Sequence, residues 1–185
     1  MNKNDELKET TKESALVFSG KMLQVYDDTV ILPDDKTSTR EFVRHIGAVA
    51  VVPITEDGKV IMERQFRYPI DAVVREIPAG KLNTKDEDRL SAAKRELLEE
   101  TGIWADEWID LGKYYPAPAY SDEMLTLYLA RGLHEGVQKL DEDEFLDIER
   151  IPFTDVLKDV LEGKITDGKT QVAIMKAALV LGEIH

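Results

Sequence analysis

One stretch decides the fold, Arg95-Glu96-Leu97-Leu98-Glu99-Glu100-Thr101-Gly102-Ile103, in which a helical pattern runs up to a glycine. Residues 90–101 carry apolar side chains three and four positions apart, which predicts an α-helix with one buried face. The glycine that follows is a typical helix stop. Three glutamates lie on one arc of this helix, beside its apolar face: Glu96, Glu99 and Glu100.

The three glutamates predict a cation site. Like charges at these spacings repel, and the helix dipole disfavours anions in the last turn. Because no Lys or Arg lies among Glu96, Glu99 and Glu100, the sequence predicts an uncompensated cluster that a bound cation would stabilise. Carboxylate oxygens on a rigid face suit a hard divalent ion such as magnesium. The alternative is a solvated acidic surface, which is the usual role of an acidic helix.

The residues around the helix favour the functional interpretation. They resemble the Nudix box, Gly-x5-Glu-x7-Arg-Glu-U-x-Glu-Glu-x-Gly-U with U a bulky aliphatic residue, at these positions: Gly80, Glu87, Arg95, Glu96, Leu97, Glu99, Glu100, Gly102 and Ile103. One extra residue separates Gly80 from Glu87, so Asp86 competes for the first glutamate position. A helix fixes spacing whereas a loop absorbs an insertion at small cost, and we therefore favour Glu87 with a bulge in residues 82–86.

The composition excludes several classes of protein. A net charge of −13 argues against a nucleic-acid binder, whose affinity depends on neutralising phosphates. The chain contains no cysteine, which excludes a disulfide framework and a thiol nucleophile. The first 14 residues are too polar for a signal peptide, and no apolar run reaches membrane-spanning length. We therefore expect a cytoplasmic protein that binds neither nucleic acid nor membrane.

The pattern along the chain predicts a mixed α and β protein. After a frayed start, strands at 15–18, 22–32 and 37–45 are expected to form a small antiparallel sheet. A buried strand at 47–54 and a hairpin turn at 56–59 precede a strand at 60–66. The remaining expected elements are strands at 73–77, 108–115, 125–130 and 145–151, a helix at 155–162 capped by Thr154, and a last helix at about 169–183. This order fits an α+β fold or a three-layer sandwich.

The resemblance to the Nudix family chooses between these folds. Segments over nearly the whole chain are similar to bacterial ADP-ribose pyrophosphatases, among them Gln65-Phe66-Arg67, Glu76-Ile77-Pro78-Ala79-Gly80-Lys81 and residues 141–145. The family implies an α/β/α sandwich, an α+β Nudix fold with a mixed sheet. It also implies that residues 1–45 form N-terminal antiparallel strands for dimerisation and adenine contacts, and that residues 46–185 form the Nudix hydrolase domain.

The same resemblance implies an activity. Bacterial ADP-ribose pyrophosphatases hydrolyse the diphosphate bond of ADP-ribose to AMP and ribose 5-phosphate, and they depend on a divalent metal, so we expect Mg2+ or Mn2+ as the cofactor. The binding partner would be a small-molecule nucleoside diphosphate sugar. Two alternatives stay open. One is a hydrolase of another such sugar, of the ADP-glucose or GDP-mannose type, and the other is a non-catalytic module that senses ADP-ribose.

The family pattern assigns metal and catalytic roles by position. Metal ligands are implied at the backbone carbonyl of Ala79 and at Glu96, Glu99 and Glu100. The residue that orients or deprotonates the attacking water is implied in loop 141–144, where we favour Glu144, which adjoins a strand, over Glu142. Arg95 and Glu99 complete the set of catalytic candidates.

The family pattern also assigns substrate contacts, namely Arg67, Glu76, Arg40, Glu41, His45 and Pro118. A guanidinium such as that of Arg67 can hold a phosphate with two hydrogen bonds. A carboxylate such as that of Glu41 can accept from the amino group of adenine. In this family the N-terminal strand reaches the adenine of the neighbouring subunit, which implies a homodimer with exchanged N-terminal strands.

Overall fold

The computed structural model describes residues 5–184, which form two compact units. Of the described residues, the N-terminal unit contains 5–45 and 117–123, and the larger unit contains 46–116 and 124–184.

The N-terminal unit is built on the antiparallel sheet that the sequence predicts. After a 3-10 helix (Asp5–Leu7), its strands are β1 (Thr10–Ser19), β2 (Gln24–Ile31) and β3 (Thr37–Arg44), in the order β1-β2-β3. The predicted frayed start is wrong from Thr10 onward, because Thr10 pairs with Ile31 of β2 and Thr11 with Val30. A sheet satisfies backbone hydrogen bonds whatever the polarity of the side chains, so a polar segment can still form a strand.

Residues 117–123 are bonded to the end of β3 within the same unit. The N–H of Val43 donates to the carbonyl of Tyr120 at 2.9 Å, and the N–H of Asp122 donates to the carbonyl of Val43 at 3.2 Å. The N–H of His45 donates to Oδ1 of Asp122 at 2.7 Å. The loop that contains Pro118 therefore folds with the N-terminal strands and not with the sheets of the larger unit.

The larger unit has two sheets and three helices. The first sheet has the order β7-β4-β9-β8, with β4 (Ala48–Pro53), β7 (Ala79–Lys81), β8 (Ile103–Tyr114) and β9 (Leu125–Glu135). The second sheet has the order β10-β5-β6, with β5 (Lys59–Arg67), β6 (Ala72–Glu76) and β10 (Leu146–Pro152). The helices are α1 (Arg89–Thr101), α2 (Phe153–Leu161) and α3 (Gly168–Leu181), and a 3-10 helix (Tyr68–Ile70) follows β5. Since β4 pairs with β9 in parallel and with β7 antiparallel, the first sheet is mixed, as expected.

The predicted hairpin turn between β4 and β5 is confirmed, but the two strands do not continue to pair beyond it. The N–H of Thr55 donates to the carbonyl of Lys59 at 2.9 Å, and Ile54 and Val60 form a single bridge across the turn. Each strand then enters a different sheet. A turn signal fixes the local reversal of the chain, but it does not determine which strands pair afterwards.

Strand β4 divides the core of the larger unit into two layers. All six of its residues are buried, and their side chains alternate between the two faces of the sheet. Val49 and Val51 pack with Ala93 and Leu97 of α1, whereas the other face packs with α2 and α3. Helices therefore cover both faces, which is the predicted α/β/α arrangement.

The ends of the helices are set by acidic caps and by glycine. Asp88 accepts from the N–H of Ser91 at 2.8 Å at the start of α1, and Gly102 ends that helix with a φ of 69°. The predicted cap at Thr154 is wrong, because α2 begins at Phe153, directly after β10. Phe153 is buried in the core, so packing sets this boundary and a side-chain cap does not. In the described part of the chain, no helix has the length and apolarity needed to span a bilayer.

Candidate metal and substrate site

Two of the α1 glutamates pack against the strand that precedes the helix. Glu100 is buried, with 6% of its surface exposed, and its Oε2 accepts from the N–H of Ala79 at 2.9 Å. Glu96 lies against Gly80, where any Cβ atom would collide with the glutamate carboxylate. Glycine at this position therefore lets the strand approach the helix closely enough to bring a backbone segment and the carboxylates together.

Arg95 compensates part of the acidic cluster, contrary to the sequence prediction. Its Nη1 donates to Glu96 Oε1 at 2.7 Å and to Glu99 Oε2 at 3.0 Å, and its Nη2 donates to the carbonyl of Lys81 at 3.2 Å. No Lys or Arg lies between the glutamates, but the long side chain of Arg95, just before them, folds back along the helix. Glu100 is the member of the cluster that Arg95 does not contact in the described residues.

Glu87 makes hydrogen bonds within the loop that precedes α1. It accepts from the N–H of Asn83 at 2.5 Å, and its Oε1 lies 3.4 Å from Nε of Arg95. The extra residue is absorbed in the turn, where the N–H of Glu87 donates to the carbonyl of Thr84 at 3.2 Å. These contacts support Glu87 over Asp86 as the residue that corresponds to the first glutamate of the box.

One face of the second sheet, β10-β5-β6, carries charged side chains. Glu63 of β5 lies opposite Glu76 of β6, and Arg67 lies on the same face because it is four residues further along β5. Glu76 is buried and accepts two hydrogen bonds from Arg67, from Nε at 2.7 Å and from Nη2 at 2.8 Å. Lys169 of α3 forms an ion pair with the same carboxylate. Burial by itself would raise the pKa of Glu76, but these two cations outweigh it and hold the pKa below its ordinary value.

Glu63 is a buried carboxylate that the sequence prediction missed. Only 4% of its surface is exposed, and its Oε1 has no hydrogen-bond partner within residues 5–184. Burial raises its pKa, and the charges of Glu144 and Glu76 raise it further. A signal was present in the sequence, since Glu63 directly follows the apolar residues 60–62 within a predicted strand.

Burial and neighbouring carboxylates also raise the pKa of Glu100. Burial raises its pKa, and the charges of Glu63, Glu96 and Glu144 add to the effect. Burial also raises the pKa of Glu96, although Arg95 opposes the change. The carboxylates of α1, β5 and loop 141–144 therefore act on one another in a single region of the larger unit.

The donor chemistry of this region fits a hard divalent cation. In residues 5–184, no three acidic or histidine side chains converge closely enough to form a ready-made ligand set. However, one oxygen of the buried Glu63 has no hydrogen-bond partner among the described residues, and burial raises the pKa of Glu100, so a bound cation would stabilise both carboxylates. Carboxylate and carbonyl oxygens are the ligands that Mg2+ and Mn2+ favour.

Loop 141–144 lies just before β10. The N–H of Glu144 donates to the carbonyl of Asp141 at 3.1 Å, and Glu144 is half-buried. Glu142 is exposed. Because Glu144 raises the pKa of three other glutamates, its carboxylate lies near the acidic region, which favours it over Glu142.

Four predicted substrate residues belong to the N-terminal unit. Arg40 is engaged by Glu9, which accepts from Nε at 2.9 Å, and it also donates to Ser38 and to the carbonyl of Thr39. Glu41 is exposed on β3. Nδ1 of His45 lies 3.7 Å from Glu123. The fourth, Pro118, lies in the segment that is bonded to the end of β3.

Comparison with known proteins agrees with this geometry. A family model described as the NUDIX domain matches residues 44–170. The ADP-ribose pyrophosphatase of Bacillus subtilis (strain 168) is 42% identical over 170 residues, which is 91% of this chain and 91% of that protein. The methanol dehydrogenase activator of Bacillus methanolicus is 42% identical over 168 residues, which is 90% of each.

A solved structure shows the same fold. It is described as an ADP compounds hydrolase and superposes with a TM-score of 0.84 over 95% of both chains, at 24% sequence identity. The likeness confirms the α/β/α fold, in which α1 and the loop before it form the box. The chain belongs to the NUDIX family.

Proposed function

We propose that this protein hydrolyses the diphosphate bond of ADP-ribose to AMP and ribose 5-phosphate, with Mg2+ or Mn2+ as its cofactor. The observation that carries the proposal is the buried acidic region, in which Glu100 and Glu63 are almost fully buried and form no ion pair with any of residues 5–184. The identity of 42% with the Bacillus subtilis ADP-ribose pyrophosphatase supports the choice of substrate.

The α1 face would hold the metal through Glu96, Glu99, Glu100 and the carbonyl of Ala79. A bound divalent ion offsets the charge of the diphosphate oxygens and lowers the pKa of bound water. Arg95 keeps two of these carboxylates in place through hydrogen bonds from Nη1 to Glu96 and Glu99. The hydrogen bond between Ala79 and Glu100 sets the distance between the strand end and the helix.

Glu144 is assigned the proton transfer. It accepts a proton from the attacking water while the water oxygen bonds to phosphorus. The bond from that phosphorus to the bridging oxygen breaks, and the leaving phosphate keeps the electron pair. General-base assistance of this kind typically contributes about 10²–10⁴ in rate.

Arg67 is assigned to the substrate phosphates. Two of its nitrogens, Nε and Nη2, are held by Glu76, so the plane of the guanidinium is fixed and Nη1 is directed away from that carboxylate. A guanidinium held in this way loses little further freedom when it binds an anion.

The N-terminal strands are assigned to dimerisation. We propose a homodimer in which residues 1–45 are exchanged, and Arg40, Glu41, His45 and Pro118 contribute to recognition of the adenosine part of the substrate. Apolar side chains exposed on the N-terminal unit support this assignment, namely Leu16, Val17, Phe18, Met22 and Leu23.

A second candidate function is activation of a methanol dehydrogenase. It is supported by the identity of 42% with the Bacillus methanolicus activator, which equals that of the pyrophosphatase. Adding the protein to such a dehydrogenase and measuring the alcohol oxidation rate tests it. A rate that does not change contradicts this candidate and leaves the hydrolase unaffected.

A substrate panel tests the main proposal. AMP or GMP release is measured with ADP-ribose, ADP-glucose, GDP-mannose, NADH and a diadenosine polyphosphate, each with and without Mg2+. We expect the highest kcat/KM for ADP-ribose and no release without metal. A higher kcat/KM for GDP-mannose than for ADP-ribose would mean that GDP-mannose is the preferred substrate. No release from any of the compounds would contradict the proposed hydrolase activity.

A further inference from the structure

The first turn of α3 is bonded to the end of β6. Thr170 is fully buried, and its hydroxyl accepts from the N–H of Ile77 at 3.0 Å and donates to Oδ2 of Asp167 at 2.6 Å. The same carboxylate caps α3 by accepting from the N–H of Thr170 at 2.9 Å. Thr170 therefore joins the start of a helix to a backbone group that directly follows β6.

Lys169 makes a second connection from the same turn. Only 13% of its side chain is exposed, and its Nζ forms ion pairs with Glu76 and, at 3.1 Å, with Asp167. Glu76 in turn holds Arg67 by two hydrogen bonds. A buried carboxylate between two cations keeps a defined orientation, and removing Lys169 takes away one of the two groups that hold Glu76.

Residues 76–79 connect the two groups of charged side chains. At one end Glu76 orients Arg67, and at the other end the N–H of Ala79 donates to Glu100. In between, the carbonyl of Pro78 accepts from the N–H of Val51 at 2.9 Å. The α3 turn is thus bonded to the segment that separates the proposed phosphate contact from the proposed metal ligands.

We propose that Lys169 and Thr170 are positioning residues that orient Arg67 for the substrate diphosphate by way of Glu76. They lie outside the Nudix box, and neither was predicted from the sequence. The inference rests on the proposed function, because it takes Arg67 as a phosphate contact. Lys169 acts on substrate binding only through Glu76 and Arg67.

Binding of ADP-ribose without metal tests this role separately from catalysis. The dissociation constant is measured by calorimetry in EDTA for wild type, Arg67→Ala, Lys169→Met and the double variant. Loss of a charged hydrogen bond corresponds to about a tenfold or larger weakening, so we expect this for each single variant. If Lys169 acts through Arg67, the double variant binds as weakly as Arg67→Ala alone. Lys158→Met is the control, because 67% of that side chain is exposed.

The outcomes separate the inference from the proposed function. If wild-type protein does not bind ADP-ribose in EDTA, the four proteins are compared with Ca2+ instead, and no binding under either condition contradicts the proposed function. If Arg67→Ala binds weakly and Lys169→Met binds normally, the positioning role is overturned and the proposed function is not. The same holds if the double variant is weakened by the product of the two single effects, because Lys169 would then act independently of Arg67. If Lys169→Met does not fold, the dissociation constants of Thr170→Val and Thr170→Ser test the positioning role. We expect Thr170→Val to bind ADP-ribose more weakly and Thr170→Ser to bind normally, because serine keeps the hydroxyl. Normal binding by Thr170→Val overturns the role.

Discussion

The two units of this chain differ in how they bury their strands. Every residue of β1 in the N-terminal unit is exposed, whereas every residue of β4 in the larger unit is buried. The larger unit surrounds β4 with side chains from all three helices, while the N-terminal unit leaves a row of apolar side chains in water. A three-stranded sheet needs a further surface to be stable, and a four-stranded sheet covered on both faces does not.

The contrast leads us to expect different effects of substitutions in the two units. The residues proposed for the metal, the proton transfer and the phosphates lie in the larger unit, and the residues proposed for adenine lie in the N-terminal unit. Changes in the larger unit should therefore lower the rate of chemistry, whereas changes in the N-terminal unit should alter substrate affinity or assembly.

The largest effect is expected at Glu100. Glu100→Gln keeps the shape and the acceptor for Ala79 but removes a charge from the metal site, so kcat should fall by about 10²–10³. The melting temperature should not fall, since the variant no longer buries a carboxylate. Steady-state kinetics at saturating Mg2+ measures the effect, with the exposed Glu107→Gln as control. Full activity of Glu100→Gln would refute its assignment as a ligand.

A loss of about 10² in kcat is expected for Glu144→Gln, with KM nearly unchanged, because proton transfer belongs to the transition state. Glu142→Gln is the matched control in the same loop, and its exposed side chain should make it nearly neutral. If Glu142→Gln shows the larger loss, our choice within loop 141–144 is wrong.

A smaller effect is expected in the N-terminal unit. Glu41→Ala should raise KM for ADP-ribose by about tenfold, the value of one charged hydrogen bond, and leave kcat nearly unchanged. Glu13→Ala on β1 is the control.

Subunit mixing tests whether Glu41 serves the neighbouring chain. After exchange between Glu41→Ala and Glu100→Gln chains, one kind of site in the mixed dimer has both residues intact, so part of the activity at low substrate should return. No recovery, despite exchange shown by mass spectrometry of labelled subunits, would contradict the exchanged dimer.

The smallest effect concerns the exposed apolar residues. Phe18→Ser removes a side chain that is 55% exposed, so it should shift the dimer towards monomer and leave kcat of the remaining dimer unchanged. Analytical ultracentrifugation measures the shift, and Tyr68→Ser in the larger unit is the control because that side chain is 86% exposed. An unchanged dissociation constant would mean that this surface does not contribute to assembly.

The sequence predicted the elements well where periodicity and caps agree. Helix α1 was expected at 90–101 and occupies Arg89–Thr101, because a helical apolar pattern and a terminal glycine both mark it. The start of β1, the pairing of β4 and β5, and the cap of α2 could not be predicted, because each depends on a partner distant in the chain.

The site was predictable only in its local part. The spacing of the box places Glu96, Glu99 and Glu100 on one helix face, but spacing does not show that Arg95 folds back onto two of them. Glu63 and Lys169 become part of the region only through sheet register and helix packing. Such contacts are long-range, so one sequence does not reveal them.

Metal removal is the most direct test of the proposed metal-dependent hydrolysis. Wild-type protein is treated with EDTA, dialysed and assayed for AMP release from ADP-ribose before and after Mg2+ is added. We expect no release from the treated protein and full recovery with Mg2+, whereas Glu100→Gln should recover at most about a hundredth of the wild-type rate. Hydrolysis that continues at the full rate without metal would rule out a metal-dependent reaction at this site.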